Sequence, residues 1–266
     1  MSSQQIIFFK KSRCDFSNSY VVATGSQGVG FESYIFNRNN SSAWITSGSV
    51  DADNTTLIID LGEPKDVSDI LLLKHNFKSY TIQYWNGSAY VDFSTIINPT
   101  SVTVDDSYHY FTKVNTQLIK ITILGTQIVN ADKFLYQFIA TERIGQLAGW
   151  PIVAKPKISR NRKINSMLSG KLNVSENIGS VSFTLKCQMF SSDADLTLLE
   201  TIYNYSEGFL VWLCGGSEAQ FRTLRQGYRM EDTYLMKCVS DYKPEYYKGL
   251  YGSGITLDVD LEEVVN

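Results

Sequence analysis

Histidine is nearly absent from this chain: His75 and His109 are the only two among 266 residues. A Ser/His/Asp triad would have to use one of them, and no GxSxG nucleophile elbow is present. The four cysteines, Cys14, Cys187, Cys214 and Cys238, form no CxxC pair and no Cys/His cluster with zinc spacing. Reduced thiols are the expectation, with a disulfide among the last three left open. Long apolar runs are also missing. The amino-terminal MSSQQIIFFKKSR has an apolar run of only four residues, too short for a secretory signal. No later run approaches the roughly 20 residues of a spanning helix. Nor is there an excess of positive charge. The formal net charge is −3, with 11 basic and 13 acidic residues in 1–145 and 13 and 14 in 146–266. General or sequence-specific nucleic-acid binding is therefore not expected.

Aromatic residues, by contrast, reach 13%, with 16 Tyr and 14 Phe. Together with abundant Thr, Val and Ile they favour strands. In the first half, Ile6–Phe9, Thr56–Leu61, Val67–Leu73, Tyr80–Trp85, Ala89–Phe93, Leu118–Leu124 and Phe134–Thr141 all read as strands. Gly62-Glu63-Pro64 reads as a turn. Asn86-Gly87 is a hairpin signal. Leu118–Leu124 alternates cleanly, placing Ile119, Ile121 and Ile123 on one face. Short strands separated by turn signals predict an antiparallel β-sandwich or jelly roll.

The joint is expected within IGQLAGWPIVAKPKISRNRK, residues 144–163. It carries two of the five prolines and five basic residues from Lys155 to Lys163. The expected division is a jelly roll over 1–145, a linker or arm over 146–163, and a second domain over 164–266. In that second domain, Lys171–Val174, Ser180–Met189, Phe209–Cys214, Tyr234–Ser240 and Ile255–Val259 read as strands. One helix is predicted over 192–206, with Ser192 as its cap and Leu196, Leu199, Ile202 and Tyr203 as its apolar stripe. The overall class is mainly β, with an α+β barrel or split sandwich following the jelly roll.

Most candidate chemistry has a plainer alternative. GSQGVGFES places glycines at Gly25, Gly28 and Gly30. That GxxGxG spacing lacks a Walker lysine, so a flexible loop is the better reading. Asp105-Asp106, Glu231-Asp232 and Glu262-Glu263 sit in polar or terminal contexts and read as solvated carboxylates rather than as an acid/base pair. His109 lies in the polar-aromatic DDSYHYF. His75 follows an apolar run and closes a strand, with Asn76 placed to turn the chain by bonding its own backbone. The basic stretch of Lys155, Lys157, Arg160 and Arg162 suits a linker or a contact arm between subunits. Tyr246, Tyr247 and Tyr251, near Tyr242, suit either an assembly interface or a loop covering the core. The N-x-S/T sequons, at Asn40, Asn54, Asn86, Asn173 and Asn204 among others, carry little weight without a secretory signal. No enzyme activity, metal or cofactor is expected.

The first half resembles the galactose-binding-like, discoidin-type jelly roll over about residues 30–143. The residues that carry this are Trp44 in SSAWITSG, the LIIDLGEPKDVSDILLL segment, the SYTIQYWNGSAYVDF hairpin and the closing QLIKITILG and KFLYQFIAT pair. His75-Asn76-Phe77 at a strand end, with the IGQLAG exit, is similar to jelly-roll domains of bacteriophage tail proteins. The second half resembles tail-tube or distal-tail domains, through FLVWLCGG after the helix and the run from GYRMEDTYLMKC to the carboxyl terminus.

These resemblances imply a structural component of a phage or phage-like tail tip or baseplate. It would be present in the virion and assembled in the host bacterial cytoplasm. Its implied partners are copies of itself in a ring, a hexamer, together with the tail tube, the tail hub and other tip or fibre proteins. The discoidin resemblance implies an alternative, a carbohydrate-binding or adhesion module for cell-surface glycans. Under that alternative, Trp44, Trp85 and Tyr90 are the aromatics placed to stack on a sugar, against the commoner fate of core or edge packing.

Overall fold

A computed structural model describes residues 6–14, 17–24, 31–37, 42–48, 50–147, 151–166, 172–189, 193–212, 233–249 and 252–264. The first strands are β1 (Ile6–Lys10), β2 (Tyr20–Ala23), β3 (Trp44–Ile45), β4 (Thr55–His75) and β5 (Phe77–Trp85). Next come β6 (Tyr90–Ile97), β7 (Ser107–Thr126), β8 (Phe134–Thr141), β9 (Arg143–Leu147), β10 (Pro151–Ser166) and β11 (Leu172–Met189). Helix α1 (Asp193–Tyr203) precedes β12 (Phe209–Trp212), β13 (Thr233–Cys238), β14 (Glu245–Gly249) and β15 (Gly252–Glu263). The protein is mostly β, with two antiparallel sheets, a single described α-helix and one short 3-10 helix at Phe31–Phe36. The α-helix is 11 residues long, and no described helix is long and apolar enough to cross a membrane.

The chain forms two compact units, residues 12–143 and residues 1–11 with 144–266. In the second of these, the strand order is β10-β11-β15-β13-β12-β1-β9, with β14 paired to β15. Strand β1 pairs with β12, Ile7 opposite Trp212, so it belongs to the sheet of the carboxyl-terminal unit rather than to the jelly roll expected over 1–145. Of the stretch expected as a linker or arm, residues 151–163 lie on strand β10, which pairs with β11. Lys155, Lys157, Arg160 and Arg162 lie on that strand, opposite Thr184, Ser182, Ile178 and Glu176. On α1, Leu199 and Ile202 are buried, while Tyr203, expected in the same stripe, is exposed.

The unit formed by 12–143 is a jelly roll, and its register explains how one sheet becomes two layers. Strands β4 and β7 pair from Thr55↔Ile123 to Leu72↔Ser107, with a break between Asp60 and Lys65. Yet both ends of β7 return to the β4–β5 junction: His75 N donates to Asp105 O at 2.7 Å, and Gln127 N donates to Asn76 O at 2.8 Å. Straight strands cannot satisfy both contacts, so the ladder folds over at its break. One layer is then β6, β5, the second half of β7, the first half of β4, and β2. The other is the first half of β7, the second half of β4, β8 and β3.

The expected turn at Gly62-Glu63-Pro64 is the fold-over point. Gly62 has φ +81°, a Cβ there would lie 2.6 Å from the Asn18 carbonyl oxygen, and its N–H donates to Asp60 Oδ1 at 2.7 Å. Between the layers, Leu57, Ile59, Ile70, Leu72, Ile119, Ile121 and Ile123 share one core. The alternation of Leu118–Leu124 thus points its isoleucines inward, as expected.

Candidate functional site: a groove at the loop end of the jelly roll

Because β4 and β7 fold over, their termini gather at one end of the unit. The β4–β5 junction, the β6–β7 loop, the β7–β8 loop and the loop after β3 all meet there. His75 and Asn76 sit at the centre of this end, both buried. His75 Nδ1 accepts from Phe77 N at 3.1 Å, so the proton resides on Nε2, which donates to Ser107 Oγ at 2.9 Å. Both ring nitrogens are thus occupied in joining β4, β5 and β7. Asn76 does not turn back on its own backbone. Its Nδ2 donates to Asp132 O at 2.7 Å and its Oδ1 accepts from Phe134 N at 3.0 Å, tying the junction to the start of β8.

The same end opens into a groove of about 440 Å³. Tyr136 and Phe134 supply its aromatic wall, with ring centroids 5.8 Å apart and nearly perpendicular. The Lys74 ammonium stands 5.8 Å from the Tyr136 centroid, within reach of a cation–π contact. Lys74 has φ 52°, a conformation seldom adopted by residues with side chains, and its N–H donates to Asp106 Oδ1 at 2.8 Å. That bond supports the left-handed turn that presents Lys74. Asp105, Asp132, Gln127 and the exposed Ile128 complete the lining. The outer loop is stitched to this wall. Asp132 Oδ1 accepts from Gly48 N at 2.8 Å, and Asp51 Oδ1 accepts from both the N–H and the hydroxyl of Thr126, at 3.1 and 2.7 Å. Burial works against the Asp51 charge, but the Thr126 and Asn130 hydrogen bonds and Lys133 outweigh it and hold the carboxyl below its usual range.

A second groove of about 370 Å³ lies between Thr95–Pro99 and Tyr108–Tyr110. It is lined by the exposed Ile96 and Tyr110 together with His109, and no carboxylate or ammonium lines it. His109 Nε2 is 2.9 Å from the Tyr80 hydroxyl, and burial pulls its pKa down to about 4. The ring is therefore neutral near pH 7. The first groove, with aromatic faces and hydrogen-bonding groups converging, is the better candidate for a polar ligand.

The aromatics singled out from sequence fare differently. Trp44 is wholly buried in the core, opposite Leu135 of β8, so it is not an exposed stacking surface. Its β3 strand lies at the edge of one layer, beside β8, and the indole is buried in the sandwich core. Trp85 and Tyr90 are brought together as a cross-strand pair, with centroids 5.2 Å apart and Lys120 Nζ 4.5 Å from the Tyr90 centroid. That pair sits at the hairpin end and takes no part in the groove. Tyr246 on β14 is exposed, Tyr247 neighbours it on the same strand, and Tyr251 falls outside the described residues. Gly25, Gly28, Gly30 and Ser192 also fall outside them. Cys14 is a free buried thiol whose pKa burial pushes up to about 12, and Cys238 is also free. Among the described residues, no group of three His, Cys, Asp or Glu is placed to hold a metal ion.

Sequence reasoning missed Lys74, Asp132, Phe134 and Tyr136 as a group. Asp105 and Asp106, expected from sequence as solvated turn carboxylates, lie at this end: Asp105 lines the groove and Asp106 accepts from Lys74 N. In sequence these residues are spread over 63 positions, and only the fold-over of β4 and β7 joins them. The one local signal was the unusual termination of an apolar strand by Lys-His-Asn.

Residues 17–134 match the F5/8 type C domain, so the chain carries a discoidin-like jelly-roll domain. Three similar solved structures are carbohydrate-binding modules. One is the family 32 module of Clostridium perfringens NanJ in complex with galactose, 20% identical, covering 52% of this chain and 99% of its own at a TM-score of 0.42. Another is chitosan-binding module 1 from a chitosanase/glucanase of Paenibacillus sp. IK-5, 19% identical over 50% of this chain and 98% of its own, TM-score 0.42. A third, a Clostridium perfringens module in complex with GalNAc-β-1,3-galactose, is 14% identical over 47% and 96%, TM-score 0.40. No curated protein matches.

Proposed function

We propose that the 12–143 unit is a carbohydrate-binding module and that its ligand lies in the Lys74–Tyr136 groove. The observation that carries this is the composition of the groove: an aromatic wall beside ammonium, amide and carboxylate groups. A pyranose has one face of C–H groups and a rim of hydroxyls. The C–H face fits against Tyr136, and the hydroxyls meet donors on Lys74 and Gln127 and acceptors on Asp105 and Asp132. With one ammonium and two carboxylates on the lining, the groove favours a neutral glycan over an anionic one. The F5/8 type C match over 17–134 supports a recognition role for this unit. The tail-tip role implied by resemblance finds no counterpart in the matches named above.

Titration calorimetry of the full chain against galactose and chitosan oligomers, after a glycan array, tests the proposal. Tyr136→Ala and Lys74→Ala should each weaken binding at least tenfold while leaving the melting transition in place. Absence of any glycan binding, or full binding by both variants, would overturn it. Native mass measurement of the same sample addresses the ring: a hexamer that binds no glycan would restore the tail-tip reading.

A further inference from the structure

Resting on the groove reading above, we infer that Lys133 is an internal cation that clips the 46–55 loop to the groove wall and so positions Asp132 and Phe134 for ligand. Lys133 is a lysine with no exposed surface. Lysine is almost never fully buried without partners. Here all three ammonium donors are matched: Nζ donates to Asp53 O at 2.6 Å, to Thr55 Oγ1 at 3.0 Å and to Val50 O at 3.3 Å.

The three acceptors come from one short stretch of chain. Val50 O also closes that stretch on itself by accepting from Asp53 N at 2.9 Å. Burial pulls the ammonium below its ordinary pKa, and the Asp51 and Asp53 carboxylates supply a negative field that partly opposes it. Neutral oxygens converging on a positive charge, with carboxylates nearby, is also how a hard cation is held. In this fold the cation is tethered to the chain.

The backbone of Lys133 completes the clip. Its N–H donates to Thr46 Oγ1 at 2.8 Å, and its carbonyl accepts from Thr46 N at 2.9 Å. Between Thr46 and Thr55 the described residues belong to no strand, so the ladder cannot order this stretch. Asp132 and Phe134, on either side of Lys133, both line the groove. A displacement of Lys133 is therefore transmitted directly to the binding wall, which places Lys133 as a positioning residue without contact to the ligand.

Hydrogen exchange on the full chain tests this without a known ligand. Lys133→Met keeps the stem and removes the charge. It should raise exchange at amides of 46–55 at least tenfold and leave the 85–90 hairpin unchanged. Lys133→Ala should recover protection in millimolar propylammonium but not in propan-1-ol, because propylammonium replaces the lost Cγ-to-Nζ portion. If Lys133→Ala does not fold alone, refolding with propylammonium against propan-1-ol gives the same discrimination. Unchanged exchange at 46–55, a uniform rise across 12–143, or equal rescue by propan-1-ol would each overturn the inference. Where the native chain binds galactose, Lys133→Met should weaken that binding at least tenfold below its melting temperature, and unaltered affinity beside a loosened loop would also overturn it. Failure of the native chain to bind any glycan removes the groove reading and leaves the exchange result standing.

Discussion

The two ends of the jelly roll are held by different means. At the hairpin end, Asn86 satisfies the turn from within: its Oδ1 accepts from Ser88 N, Ser88 Oγ and Ala89 N, all within 3.0 Å. The partners are two or three residues away. At the loop end, bonds such as His75–Ser107, Asn76–Asp132 and Thr46–Lys133 span 32, 56 and 87 residues. The hairpin end is specified locally, whereas the loop end exists only when distant segments have arrived together. That makes the loop end the more demanding structure to build, and it is also where the chain places its polar groove.

Substitutions that empty or unstitch the loop end should therefore exceed any at the hairpin. Trp44→Ala removes the largest fully buried side chain beneath the loops. It should cost about 3–5 kcal/mol, typical of a truncated core aromatic, read as a fall in the urea midpoint. A cost below about 1 kcal/mol would mean that the indole is not in the core. Asn76→Ala leaves the Asp132 carbonyl and the Phe134 amide without their described partner. A loss of about 2–3 kcal/mol is expected for two part-buried polar groups, and glycan binding should fall with it. Loss of stability without loss of binding would detach the junction from the groove.

Acidification probes the ring cluster between the ends. His109 has a folded pKa of about 4 against an ordinary 6.5. Between those values the unfolded chain binds more protons, so stability is fully present above about pH 6.5 and declines as pH falls toward 4. By pH 5 the contribution lost is on the order of 2 kcal/mol. Carboxylates such as Asp51 add their own acid sensitivity, so the decisive quantity is the difference from His109→Gln. That variant should show a flatter melting profile between pH 6.5 and 5, and identical slopes would remove His109 as the cause.

What the sequence made legible follows the same division. Ile119, Ile121 and Ile123 alternate within seven residues, and the hairpin announces itself in Asn86-Gly87, so period and turn chemistry suffice. The Gly62 turn was also visible, but not that β4 and β7 would bend there as one continuous ladder. That bend is a property of pairing across 50 or more residues. The burial of Trp44 was hidden for a related reason: in SSAWITSG nothing local separates a two-residue edge strand with an inward-facing indole from an exposed loop. Strand β1 joining β12 across about 200 positions is the extreme case. Lys133 had no local signature, because a lysine flanked by aspartate and phenylalanine reads as surface until its oxygens are seen. His75 lies between these cases. Its place at a strand end was readable, and its two partners were not.

The smallest effect should come from the hairpin itself. Gly87 has φ +100°, and a Cβ there would meet nothing within 4 Å. The cost of Gly87→Ala is thus purely conformational, since no neighbour has to move. About 1–2 kcal/mol is expected for forcing an L-residue into that region, partly offset by the smaller entropy of the unfolded chain. The net loss should be near 1 kcal/mol in the urea midpoint. It should leave exchange at 46–55, and any glycan affinity, unaltered, because Trp85 and Tyr90 lie at the far end from the groove. If Gly87→Ala weakened ligand binding, the Trp85–Tyr90 pair would be part of the recognition surface and the groove would no longer be the sole site. If it destabilised the chain as much as Asn76→Ala, the hairpin would be coupled to the long-range network, and the contrast between a locally built end and a cooperatively built one would fail.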